Sequence, residues 1–205
     1  MTHSLAVYKM PLHLEKKAIR VLGIAESFSQ KDKLSTLAGV VMRSDLVLDG
    51  FALGTLQVGG SDATDSILEL FRKLKRNDIN AMMIAGSVLS LYNVVDIGLL
   101  NKKLKVPVVA VSFSKSKADL ERNIRSKFEN KIAEKKIDLL RKLGCATKIR
   151  LSTGYAVYVR SAGIGDLESK RLLDRFTLQG TAAEPVRVAK LLARSVSAFT
   201  KGASD

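Results

Sequence analysis

The chain has 205 residues, 46% of them hydrophobic, which is enough for the core of one α/β domain and too apolar for a disordered chain. Its 34 Lys and Arg against 20 Asp and Glu leave a net charge of +14, which favours polyanionic partners through long-range attraction and counterion release. A single cysteine, Cys145, excludes an internal disulfide, and the two histidines, His3 and His13, lie too near the start to suggest a Cys/His zinc site or a histidine-activated nucleophile.

Residues 19–26 (IRVLGIAE), 37–42 (LAGVVM) and 46–58 (LVLDGFALGTLQV) read as three strands with short connections, as in an antiparallel meander. After GGSDAT, residues 66–76 place Ile67, Leu68, Leu70, Phe71 and Leu74 on one face of a helix. Residues 81–85 and 106–113 are nearly all apolar, as parallel strands buried on both faces are, and a helix near 96–104 joins them. The rest is mostly helical. Residues 120–128, 131–143, 166–178 and 183–199 have helical spacing, and 146–151 with 155–160 form a candidate hairpin around Ser152-Thr153-Gly154. The positive charge leans to this part, with net +9 in residues 116–205 against +5 in 1–115. Solvated helix faces account for many of the basic residues between Arg122 and Lys148. No apolar run approaches the roughly 18–20 residues that span a bilayer, and the opening residues lack a signal peptide's apolar stretch. A soluble cytoplasmic protein is expected.

This order predicts one α/β domain: a mixed five-stranded sheet over about 18–115, in spatial order 3-2-1-4-5, and a mostly helical extension with a small hairpin over about 116–205. In open α/β sheets, ligand sites lie just past the carboxyl ends of buried parallel strands. Asn93 and Asp96 follow the fourth strand in an otherwise apolar segment, and Tyr92 beside them could stack on a base or pack. Glu26 ends the first strand. Asp62 and Asp65 flank the start of a helix, where acidic residues also cap free N–H groups and suit the helix dipole. Ser112, Ser114 and Lys115 end the fifth strand, where they could meet a phosphate or simply face solvent. Gly59-Gly60 before a helix has the look of a phosphate turn without the full spacing of one.

Several segments carry a narrower resemblance: RVLGIAES (20–27), VLDG (47–50), GGSDATDSI (59–67), IAGSVLSLYNVVDI (84–97), PVVAVSFSK (107–115) and AEPVRVAKLLA (183–193). In family order over most of the chain, they resemble domain-of-unknown-function family 99, a largely archaeal group related to endonuclease V. The resemblance implies a ribonuclease-H-like fold. It also implies a cleft in which carboxylates hold a divalent metal beside a scissile phosphate, since hard Mg²⁺ prefers oxygen ligands. Two departures matter. Where relatives read GID-D and G-D-D-A-T, this chain has Gly23-Ile24-Ala25-Glu26 and Gly60-Ser61-Asp62-Ala63-Thr64, and Ala85 or Gly86 stands at the fourth-strand aspartate of endonuclease V. The wedge motif of endonuclease V is not recognisable.

The leading expectation is a protein that binds nucleic acid, with little sequence preference, through a basic surface on a degenerate nuclease site. Asn93, Tyr92, Asp65, Ser112 and Lys115 would contact the ligand. The alternative is an active Mg²⁺- or Mn²⁺-dependent endonuclease rebuilt on Glu26, Asp62 and Asp96, with Glu26 and Asp62 on the metal. A further alternative is a non-enzymatic assembly or small-ligand protein. No cofactor is required outside the nuclease alternative.

Overall fold

A computed structural model describes residues 18–29, 31–113 and 118–202. His3, His13, Ser114 and Lys115 lie outside the described residues. The chain runs β1 (Arg20–Ser27), β2 (Leu34–Arg43), β3 (Leu48–Gln57), α1 (Ala63–Lys73) and β4 (Ala81–Ile84). A short ribbon of β5 (Val88–Leu89) and β6 (Asn93–Val94) follows, then α2 (Ile97–Leu104) and β7 (Val108–Ser112). Next come α3 (Ala118–Lys127), α4 (Asn130–Lys142), β8 (Thr147–Arg150), β9 (Ala156–Ala162), α5 (Asp166–Phe176) and α6 (Glu184–Gly202).

The main sheet has the order β3-β2-β1-β4-β7-β9-β8. Its first five members stand in the expected 3-2-1-4-5 order, with β1–β2–β3 antiparallel and β1–β4–β7 parallel. The sheet has seven strands, however, not five. The hairpin assigned to the extension adds β9 antiparallel to β7, with β8 outside it. The reason is burial. Val108 to Val111 are buried on both faces, so β7 is unsuited to an edge, and alternate residues Val157 and Val159 of β9 carry the apolar face onward.

Helices cover both faces. On one, α1 and α2 bury Ile67, Leu70 and Leu100 against Leu22, Ile24, Met82 and Ile84. On the other, α5 and α6 bury Leu172, Phe176 and Val186 against Val21, Met83, Val109 and Val111. α6 crosses β1 and β2, and its approach depends on Gly23. A Cβ on Gly23 would stand 2.2 Å from the Pro185 carbonyl carbon. The α3–α4 hairpin closes a third, smaller core of Ile124, Ile137 and Leu140 over the β5–β6 ribbon. Among the described residues no helix is long and apolar enough to cross a membrane.

At the amino end of β1, Asp49 and Asp78 share Arg20 and Arg76, with Arg76 at 2.9 Å and 2.8 Å from them. Hydrogen bonds from Arg20 to Asp49 and from Arg76 to Asp78 hold both carboxyls below the usual carboxylate range. A depressed folded-state pKa gives stability that is present above about pH 4 and lost as pH falls through the folded value. The double variant Asp49→Asn, Asp78→Asn should therefore flatten the fall in melting temperature between about pH 5 and pH 2. Parallel melting curves for variant and parent would refute this assignment.

Candidate functional site

The sheet's carboxyl edge collects most of the candidate residues around the segment that follows β4. Asp62 precedes α1 without capping it. Its carboxylate accepts instead from the Gln57 N–H, at 3.2 and 3.0 Å, and from Asn93 Nδ2 at 2.7 Å. Asn93 is fully buried and uses both ends of its amide. Its Oδ1 accepts from the Ala63 N–H at 3.0 Å, and its Nδ2 also donates to the Gln57 carbonyl. Gly60 has no Cβ because one would come 2.7 Å from Asp62 Oδ1. Asp96 caps α2 through the Leu99 N–H at 2.8 Å, and Lys142 reaches its other oxygen at 3.3 Å. Its own N–H donates to Thr64 Oγ1.

Glu26 meets the same segment from the sheet. It is 9% exposed, and its Oε2 accepts from Ser35 Oγ at 2.9 Å and Ser90 Oγ at 3.2 Å. Strand β1 continues to Ser27 with unbroken register, so Glu26 and Ala25 point to opposite faces. Glu26 joins the α1–α2 side, whereas Ala25 packs under Ala189 of α6. Ala85 lies beside Ala25, since its N–H bonds the Ile24 carbonyl at 2.9 Å, and it too packs toward α6. At the ends of β1 and β4, the face covered by α6 thus presents two methyl groups.

The remaining candidates are more scattered. Tyr92 is half-buried, edge-on to Phe128 at 6.2 Å, with Lys127 Nζ 5.7 Å from its ring centroid. Asp65 is exposed in the first turn of α1. Ser112 Oγ donates to the Tyr158 carbonyl at 3.3 Å on the far side of β4. Among the described residues no three His, Cys, Asp or Glu side chains gather as metal ligands.

One residue that the sequence reading passed over sits in the middle. Lys136 of α4 is 3% exposed. Its ammonium donates to the carbonyls of Gly59 and Tyr92, each at 3.1 Å, and to that of Gly60, and lies 4.7 Å from the Phe128 ring centroid. Burial lowers its pKa below the ordinary lysine range, and the charge of Asp62 opposes that shift. It is thus an exception to the solvated faces expected of the 122–148 segment. The signal was present: Lys136 lies on the apolar stripe Ala133, Ile137 and Leu140, at i+3 from the first and i−4 from the last.

A mixed sheet with three antiparallel strands leading into two parallel crossovers, and a polar segment at its carboxyl edge, is a ribonuclease-H-like domain of the endonuclease V kind. A solved Ciona intestinalis endonuclease V, in complex with a DNA containing an inosine, superposes with a TM-score of 0.58 at 14% identity over 90% of this chain and 87% of its own. The chain belongs to the Endonuclease dU family, whose model matches residues 17–197. A UPF0215 protein of Pyrobaculum calidifontis is 34% identical over 178 residues, covering 87% of this chain and 97% of its own length. A crystal structure of an Archaeoglobus fulgidus protein of unknown function superposes with a TM-score of 0.74 at 25% identity, covering 87% of this chain and 98% of its own. These matches agree with the archaeal, endonuclease-V-related family to which the motifs pointed.

Proposed function

We propose that this protein binds nucleic acid on an endonuclease V scaffold without metal-dependent cleavage, and that it does so in the cytoplasm. The observation that carries the reading is the pair Ala25 and Ala85, side by side beneath α6 where the resemblance calls for carboxylates. A divalent ion such as Mg²⁺ needs near-octahedral oxygen ligation. The donor set here does not fit one. Ala25 and Ala85 offer no oxygen, Glu26 faces the other layer, and the Asp62 carboxylate is committed to Gln57 and Asn93. Polyanion binding has no such requirement, because it rests on several Lys and Arg contacts with phosphate, and the chain carries +14. The Asp62–Asn93–Lys136 cluster supports the cleft by holding the Gly59-Gly60 turn against the 90–93 segment. Tyr92 and Asp65 remain proposed contacts near it, and Ser112 a proposed contact on the far side of β4; Lys115, also proposed from the sequence, lies outside the described residues.

The family's name makes deoxyuridine-containing DNA the first substrate to assay, beside single strands, plain duplexes and inosine substrates. The expected result is binding at low salt, with no strand scission stimulated by Mg²⁺ or Mn²⁺. Metal-dependent cleavage abolished by Glu26→Gln or Asp62→Asn would overturn the reading in favour of a rebuilt nuclease. Absence of binding at low salt would remove nucleic acid altogether and leave the assembly or small-ligand alternative.

A further inference from the structure

Beneath α6, Ala85 opens on a cavity of about 300 Å³. Ala85, Val111 and Val186 line it, together with Phe113, Lys190 and Arg194. A wider depression of about 630 Å³ shares Thr181, Ala182 and Arg187 with it and reaches Thr153, Tyr155 and Leu178 on the β8–β9 hairpin side. The two make one continuous groove, and none of the carboxylates discussed above lines it.

Two features of this groove are arranged, not scattered. The first is its cations. Arg187, Lys190 and Arg194 stand at i, i+3 and i+7 on α6, one stripe with a positive charge about every 4.5–6 Å of helix. Arg187 holds the buried Glu184 at 2.9 Å and stays half-exposed, and Lys190 donates to the Glu26 carbonyl at 2.6 Å. Arg194 is exposed and, among the described residues, makes no hydrogen bond or ion pair. The second is its aromatics. Phe113 is 63% exposed and Tyr155 57% exposed. Phe113, just past the end of β7, lines the cavity, and Tyr155, just before β9, lines the wider depression. Ser112 at the end of β7 pairs with Tyr158 near the start of β9, which brings the two flanking segments to the same end of the sheet.

We propose that this groove is a track for single-stranded nucleic acid, with unpaired bases against Phe113 and Tyr155 and the phosphates along Arg187, Lys190 and Arg194. The inference rests on the nucleic-acid reading above and adds its partner class and place. A cationic row tracking the backbone beside aromatic platforms is how strands are held with little sequence preference, since every base has a π-face. The apolar cavity beside Ala85 is walled by α6 and two strand ends, so it admits an unpaired base and not one stacked and paired within a duplex.

The test is anisotropy of a labelled oligonucleotide of about 12 nucleotides, single-stranded and as its duplex, titrated with the full chain at low salt. The parent should prefer the single strand. Phe113→Ala and Tyr155→Ala should each weaken single-strand binding roughly 5- to 100-fold. Arg194→Glu should weaken it as well and reduce its salt dependence. Duplex affinity should change little with the two aromatic substitutions. All three side chains are exposed, so unchanged melting curves show that folding is intact. If the parent binds and the Phe113→Ala, Tyr155→Ala double variant binds equally well, the track is wrong while the nucleic-acid reading stands. Preference for duplex, or equal loss on both forms, also overturns the track. If the parent binds neither form, both readings fall.

Discussion

Replacing Lys136 with methionine is expected to destabilise the fold by about 3–5 kcal/mol. Methionine keeps an unbranched stem of similar length, so the change removes the charged donor and little volume. Three carbonyls, of Gly59, Gly60 and Tyr92, then lose a charged partner in a site that is 3% exposed. Each buried acceptor left unmade costs about 1–3 kcal/mol. One of those carbonyls, that of Tyr92, closes an unfavourable stretch of backbone: Ser90, Leu91 and Tyr92 have φ of 35°, 57° and 66°, three consecutive left-handed residues without glycine. At about 2–4 °C per kcal/mol for a chain of this size, the melting temperature should fall by roughly 6–20 °C. The pH dependence has a definite sign. Burial depresses the folded-state pKa of Lys136, so the unfolded chain binds that proton more tightly. Its contribution to stability therefore rises with pH between the folded value and the ordinary lysine value of about 10.4. The methionine variant should lack that rise. A melting temperature within 2 °C or so of the parent would show that the ammonium is not the clamp of this edge.

Affinity for a single-stranded oligonucleotide is expected to fall about 100-fold between 50 and 200 mM salt. The residues from 116 onward carry net +9, and α6 supplies three cations on one stripe. With about five phosphates neutralised, log affinity should fall against log salt with a slope near −3.5, which over this fourfold range gives about two decades. The measurement is the same titration at four or five salt concentrations. A slope near zero would mean that the charge serves only solubility, and any binding would then have to come from stacking or hydrogen bonds.

Much of the architecture is local in origin and was legible from the sequence. Period-two and unbroken apolar runs marked β1, β2, β3, β4 and β7, helical spacing marked α1 and α4, and short early connections with later helical crossovers set the order of the first five strands. Ala25 and Ala85 were visible as departures from a motif. Three things were decided only by the tertiary structure. The hairpin at 147–162 became part of the sheet because β7, buried on both faces, needed a neighbour that lay beyond two intervening helices. Glu26 faces away from Ala25 because β1 runs on unbulged to Ser27, and the pleat then puts neighbours on opposite faces. Lys136 is indistinguishable in charge from its neighbours Lys131 and Lys135. It became the cation of the site because α4 packs over the β5–β6 ribbon, where three carbonyls from distant segments converge on one ammonium. Periodicity reports which face of an element is buried, but not what that face meets. The meeting of Lys136 with Gly59, Gly60 and Tyr92, like the lining of one cavity by Phe113 and the α6 cations, exists only once the sheet is assembled.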